Sequence, residues 1–134
     1  MELPTAIPYE RTLDGLIGLR VHDQGDGWIE ASVPVVDGVR QPMGLVHGGV
    51  YAAIAESLTS MATAAAVMPD GFVAQGLSNT TNFLRPILEG TVHARADRLH
   101  RGRTTWVWDV RMTDDAGRLA ATTRMVIAVR APAA

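Results

Sequence analysis

The residues best equipped for chemistry share one stretch, "QPMGLVHGGVYAAIAESLTSMATAAAV", at positions 41–67. His47 and the pair Gly48 and Gly49 stand directly before a long apolar run that contains a single carboxylate, Glu56. A run so rich in Ala, Leu, Ile and Met favours helix, which places HGG at a helix N-terminus. There the first backbone N–H groups lack intrahelical acceptors and lie at the positive end of the helix dipole. Glycine lets a ligand come close to that backbone. The arrangement outlines an oxyanion site for a polarised carbonyl, and the plainer alternative is a glycine N-cap beside a satisfied histidine.

Glu56 supplies the other half of such chemistry. A carboxylate among apolar neighbours must be paired, be protonated or face a cleft, because isolated burial is expensive. On a wheel of about 100° per residue, Glu56, Thr59, Ser60 and Thr63 fall in one arc. The three hydroxyls alone also fit bonds back to carbonyls four residues earlier, or a stripe facing solvent or an interface. Gly48 and Glu56 are eight residues apart, about 12 Å along a helix. One glutamate side chain cannot close that gap. Both act on one carbonyl only if a second copy of the helix lies antiparallel alongside, which implies a dimer with two equivalent sites.

The elements that must position these residues are legible in outline. "YERTLDGLIGL" predicts a short helix from about Thr12, and "LRVHDQGDGWIEASVPVV" predicts two strands joined around "DQGDG". Pro34 and "VDGVRQPMG" break the pattern and lead to His47. The one long helix runs from Gly48 or Gly49 to about Met68, stopped by "PDG". Its apolar residues go nearly all round, which predicts enclosure by other elements. "FVAQGLSNTTNFLRPI", "GTVHARADRLHRG", "RTTWVWDVRMTDD" and "RLAATTRMVIAVR" follow as strands separated by turn signals. The expectation is α+β: five or six antiparallel strands curled around one apolar helix, in a single domain over 1–134.

Composition narrows the partners. The chain has 134 residues, is 47% hydrophobic and only 19% charged, and has a formal charge of −2. Its twelve basic residues are scattered, which argues against nucleic acid as a partner. All twelve are arginine, excluding Schiff-base chemistry on a lysine. There is no cysteine, hence no thiolate nucleophile or cysteine metal site. His22, His47, His93 and His100 have no ligand-like spacing, so no metal is expected. A carboxylate inside the apolar run argues against a membrane span, and the N-terminus does not read as a signal peptide, leaving a cytoplasmic expectation.

"RQPMGLVHGGVYAAIAESLTSMA", with "NFLRP" at 82–86 and a terminal "GRLAATTRMVIAV", resembles the hot-dog-fold acyl-CoA thioesterases of the phenylacetate-pathway type. It is similar above all to their aryl-thioester branch, which includes 4-hydroxybenzoyl-CoA thioesterase and the proofreading thioesterase of enterobactin synthesis. The resemblance spans about residues 12–130. It implies a long helix wrapped by a curved sheet, a homodimer with a continuous sheet and shared sites, and usually a dimer of dimers. It implies that Gly48 N–H polarises the thioester carbonyl, that Glu56 attacks it or activates water, that Gln41 and His47 orient the reacting groups, and that Ser60 is the hydroxyl one turn after the acid. Thr59 is a weaker substitute for Ser60. No cofactor is implied beyond coenzyme A as part of the substrate.

For substrate binding, Gly49 joins the N-terminal backbone, and the acyl pocket is expected between the helix around Ser60 and the strand "GLSNTTNF", where Asn79, Thr81 and Asn82 tune its polarity. Arg101 and Arg103 flank a glycine turn and can take coenzyme A phosphates, although a solvated hairpin turn fits them equally. Arg85 fits a ligand contact or a structural salt bridge. The resemblance implies hydrolysis of an aryl or short to medium acyl thioester. The rivals are a hot-dog hydratase or dehydratase, and a non-catalytic acyl-CoA binding module on the same fold.

Overall fold

A computed structural model describes residues 6–132. Thr12 caps α1 (Leu13–Leu16), its hydroxyl accepting from the Gly15 N–H. β1 (Arg20–Gly25) and β2 (Trp28–Pro34) form the expected hairpin, with Gly27 at φ 79°, a left-handed turn conformation that glycine takes without steric cost. In β2, Ile29, Ala31 and Val33 are buried while the alternating Trp28, Glu30 and Ser32 are half-exposed, the period of a sheet with one dry face. A loop carrying the lone bridge Arg40–Val46 then delivers His47 to α2 (Gly48–Val67). β3 (Val73–Phe83), β4 (Thr91–Arg101), β5 (Thr105–Thr113) and β6 (Leu119–Arg130) complete the chain.

The six strands make one antiparallel sheet in the order β1-β2-β4-β5-β6-β3. Tight turns between consecutive strands hold for β1–β2, β4–β5 and β5–β6, but β3 does not pair with β4. It lies at the far edge against β6. After Phe83 the N–H groups of Leu84 and Arg85 both bond the Ala120 carbonyl, Pro86 has no N–H to offer, and residues 84–90 carry the chain back to the β2 side.

α2 lies on the sheet with Ile54, Ala55 and Leu58 wholly buried against Ile29, Val92, Met112 and Ile127. A hydrogen-bonded ladder fixes it there: the Trp108 indole N–H donates to Thr63 Oγ1 at 3.0 Å, Thr63 to the Thr59 carbonyl at 2.7 Å, and Thr59 to the Ala55 carbonyl at 2.9 Å. The residues from Gly48 to Asp70 are long and apolar enough to cross a membrane by length and composition. Packing of Ile54, Ala55 and Leu58 on the sheet accounts for part of that composition.

Enclosure on all sides, expected from the all-round apolar pattern, is not what one chain provides. The sheet covers one side of α2, while Ala52, Ala53, Ser60 and Ala64 are half-buried and Glu56 is exposed. Much of the apolar count is alanine, whose methyl group adds little exposed apolar area. Beside this open flank, edge strand β3 leaves Val73 and Leu77 exposed, together with one row of unpaired backbone groups.

Candidate active site

His47 is the N-cap of α2, and its Nδ1 accepts the Gly49 N–H at 2.8 Å. In the neutral ring Nδ1 is then the acceptor and Nε2–H the donor. The Gly48 N–H meets no acceptor among the described residues. The two glycines therefore divide the two readings of HGG: Gly49 is capped by histidine, and Gly48 keeps an open donor at the positive end of a twenty-residue helix. A Cβ on Gly48 would stand 3.0 Å from Cε1 and Cζ of Phe83, so the absence of a side chain is what lets the ring lie beside this N–H.

The open donor borders a cleft of about 420 Å³ lined by Gln41, Gly48, Tyr51, Phe83, Leu84 and Arg85, among others. Gln41 is held by the turn that leads into the helix. Its backbone N–H bonds the Leu45 carbonyl at 2.8 Å and its Oε1 accepts from Met43 N–H, while its amide NH₂ meets no acceptor among the described residues. The Arg85 guanidinium forms no ion pair among the described residues, so a structural salt bridge does not explain it. Tyr51 backs the cleft. Burial pushes its phenol above the ordinary range, partly offset by the Ile87 backbone, which approaches the hydroxyl without reaching full hydrogen-bond geometry.

Glu56 lies away from this cleft, two turns along α2, exposed and without an ion pair among the described residues. It is neither buried nor paired: its carboxylate stands exposed on the open flank of α2. The flank that carries it is braced from the side by α1, because Ser57 Oγ donates to Asp14 Oδ1 at 2.5 Å. Ser60, one turn on, is half-buried on the same flank. Thr59 is not available to a ligand: it is fully buried with its hydroxyl on the Ala55 carbonyl, the back-bonding alternative.

Asn82 also departs from expectation. Asn79, whose Nδ2 donates to the Ala52 carbonyl at 2.9 Å, and Thr81, bonded to it, face the helix. Strand alternation turns Asn82 to the opposite face, where it borders a depression with Asp109, Arg111 and Arg124. Arg101 stacks 4.8 Å over the Trp106 ring, with Arg98 at 4.9 Å. Arg103 is exposed in the adjoining turn. That hairpin is at the other end of the sheet: Thr105 pairs Ala128, which pairs Gln75, about 26 Å along β3 from Phe83. One chain thus gathers Gln41, His47, Gly48, Gly49 and Arg85, and leaves Glu56, Ser60, Arg101 and Arg103 elsewhere.

Phe83 and Tyr51 are cleft residues that the sequence reading did not single out. The available signal was spacing, since Tyr51 stands three residues after Gly48 and so shares its helix face. For Phe83, only the fold brings the end of β3 against the helix N-terminus.

The family model described as the thioesterase superfamily matches residues 43–121. A thioesterase from Pseudomonas aeruginosa, solved as a glutamine-to-alanine variant, superposes with a TM-score of 0.86 at 37% identity, covering 90% of this chain and 87% of that one. A Staphylococcus aureus thioesterase, also solved as a glutamine-to-alanine variant, gives a TM-score of 0.85 at 31% identity, covering 88% and 98%. The same S. aureus protein has been solved as a glutamate-to-alanine variant. A 1,4-dihydroxy-2-naphthoyl-CoA hydrolase from Listeria monocytogenes is 34% identical over 118 residues, 88% of this chain and 95% of the relative.

Proposed function

The chain belongs to the thioesterase superfamily and is a thioester hydrolase of the hot-dog fold; on that premise we propose that it hydrolyses aryl or short to medium acyl-CoA thioesters at sites shared between two subunits. The observation that carries this reading is the open Gly48 N–H beside Gln41, on a helix whose only acid lies beyond its own reach. The carbonyl oxygen sits on Gly48 N–H, which stabilises the negative charge that develops there. The Gln41 amide and the His47 Nε2–H orient the reacting groups. Glu56 of the partner subunit then acts in one of two ways. As nucleophile it forms a mixed anhydride and expels the coenzyme A thiolate, and water later cleaves the anhydride. As base it takes a proton from a water that adds to the carbonyl, with the thiolate leaving afterwards. Each route yields the free acid and coenzyme A. Ser60 of the partner subunit stands one turn from the acid, where it can bond the same carboxylate or water.

The two alanine variants of the S. aureus thioesterase alter a glutamine and a glutamate fifteen positions apart, the spacing from Gln41 to Glu56 here. The naphthoyl-CoA named for the Listeria relative supports an aryl acyl group. Release of free thiol across a panel of aryl- and alkyl-CoAs and carrier-protein thioesters tests the reading, and no turnover on any thioester would sink it.

Shared sites also fix a register. If Gly48 of one chain faces Glu56 of the other in antiparallel helices, the twofold axis passes midway, at Ala52. The helix flank there is made of small residues, and Asn79 ties the β3 edge to the Ala52 carbonyl, so the same axis can pair two β3 edges into a continuous sheet. Two such dimers would then associate, as the resemblance implies. Because the chain has no cysteine, Ala52→Cys introduces a single thiol. A short bismaleimide should convert it to covalent dimer on a denaturing gel, whereas exposed Asp37→Cys should remain monomeric. Equal crosslinking of the two variants would reject this register.

A further inference from the structure

We infer that Phe83 selects aryl over alkyl acyl groups, by offering its ring to the face of the acyl plane opposite the attacking acid. The inference rests on the reading of Gly48 as carbonyl donor. Phe83 ends β3 opposite Ala121, and its ring is backed by Tyr51, with centroids 6.2 Å apart and planes tilted by 47°. Tyr51 is 3% exposed and cannot move aside freely, whereas Phe83 is 61% exposed and Leu84 beside it 58%. An aromatic face is therefore held, open, next to the free Gly48 N–H and within the same cleft.

Stereochemistry supplies the selectivity. A nucleophile approaches a carbonyl carbon from above its plane. With the oxygen on Gly48 N–H and attack coming from the partner subunit, the other face of the carbonyl turns to the cleft wall. An aryl group conjugated with the carbonyl lies in the same plane and presents its whole ring to that wall, where aromatic pairs prefer offset or tilted contact. A saturated chain rotates freely about each bond and gains only ordinary apolar contact. A group at this place that merely packed against Gly48 would affect both acyl types alike.

The test compares kcat/KM for benzoyl-CoA and hexanoyl-CoA in the full-length protein carrying Phe83→Leu, Phe83→Tyr or Phe83→Trp. Phe83→Leu should lower the benzoyl-CoA value by several-fold to about tenfold more than the hexanoyl-CoA value. The Tyr and Trp variants should keep the aryl preference. Equal losses for both substrates would place the ring against the pantetheine arm or in a purely structural role, and would overturn the proposal. No change in either substrate would also overturn it. Absence of turnover in the unaltered protein would instead refute the underlying reading of the site, a result distinct from either.

Discussion

Glu56→Gln is expected to lower kcat by roughly two to four orders of magnitude, the usual contribution of a positioned acid or base, with little change in stability. Glutamine keeps the shape of the side chain but can neither accept a proton nor form an anhydride. Glu56 is exposed and forms no ion pair among the described residues, so its replacement should shift folding stability by no more than about 0.5 kcal/mol. Thermal melting beside steady-state kinetics on one acyl-CoA checks both halves. Single turnover with acyl-labelled substrate separates the routes: a mixed anhydride leaves label on the unaltered enzyme and none on the variant. Activity within about threefold of the unaltered protein would remove Glu56 from the mechanism.

That expectation was reachable from the residue pattern because the spacing of Gly48 and Glu56 is a property of helix geometry. Ala-rich composition made α2 legible, and the turn signals between the later segments made the strands legible. Three things were not. The position of β3 at the far edge depends on whether residues 84–90 turn tightly or cross over, and both begin with the same proline signal. The side of the β3 face taken by Asn82 depends on strand phase, which Gly76 and Ser78 disturb through a register shift. Thr59 and Ser60 are adjacent in sequence, yet one lies under the Trp108 ladder and the other on the open flank. Only the packed sheet decides which edge of the polar arc is buried.

Mixing Gly48→Pro chains with Glu56→Ala chains should restore about a quarter of the unaltered activity, although each variant alone is nearly inactive. Proline suits the first helical position and extended residues precede it readily, so Gly48→Pro removes one N–H and keeps the helix, while its Cβ, which would meet the Phe83 ring at 3.0 Å, pushes that exposed ring aside; His47 is already extended at ψ 133°. Random exchange makes half the dimers mixed, and each mixed dimer holds one site with an intact Gly48 and an intact Glu56 from different chains. Sites contained within one chain would give no recovery. The same mixture tells which subunit holds the coenzyme A phosphates. The Arg101–Arg103 hairpin lies beyond Trp108, which meets α2 at Thr63, so it stands roughly 30 Å along the helix axis from Gly48 of its own chain. Antiparallel pairing about Ala52 brings the partner's hairpin to roughly 20 Å beyond Gly48 on its open side, comparable with an extended pantetheine arm of roughly 15 Å plus an arginine side chain. Arg101→Ala with Arg103→Ala should therefore raise KM about tenfold when carried by the Gly48→Pro chain, which supplies Glu56 to the working site. Carried by the Glu56→Ala chain, the same pair should leave KM unchanged; the reverse pattern would mean that one subunit supplies both the carbonyl donor and the phosphate contacts.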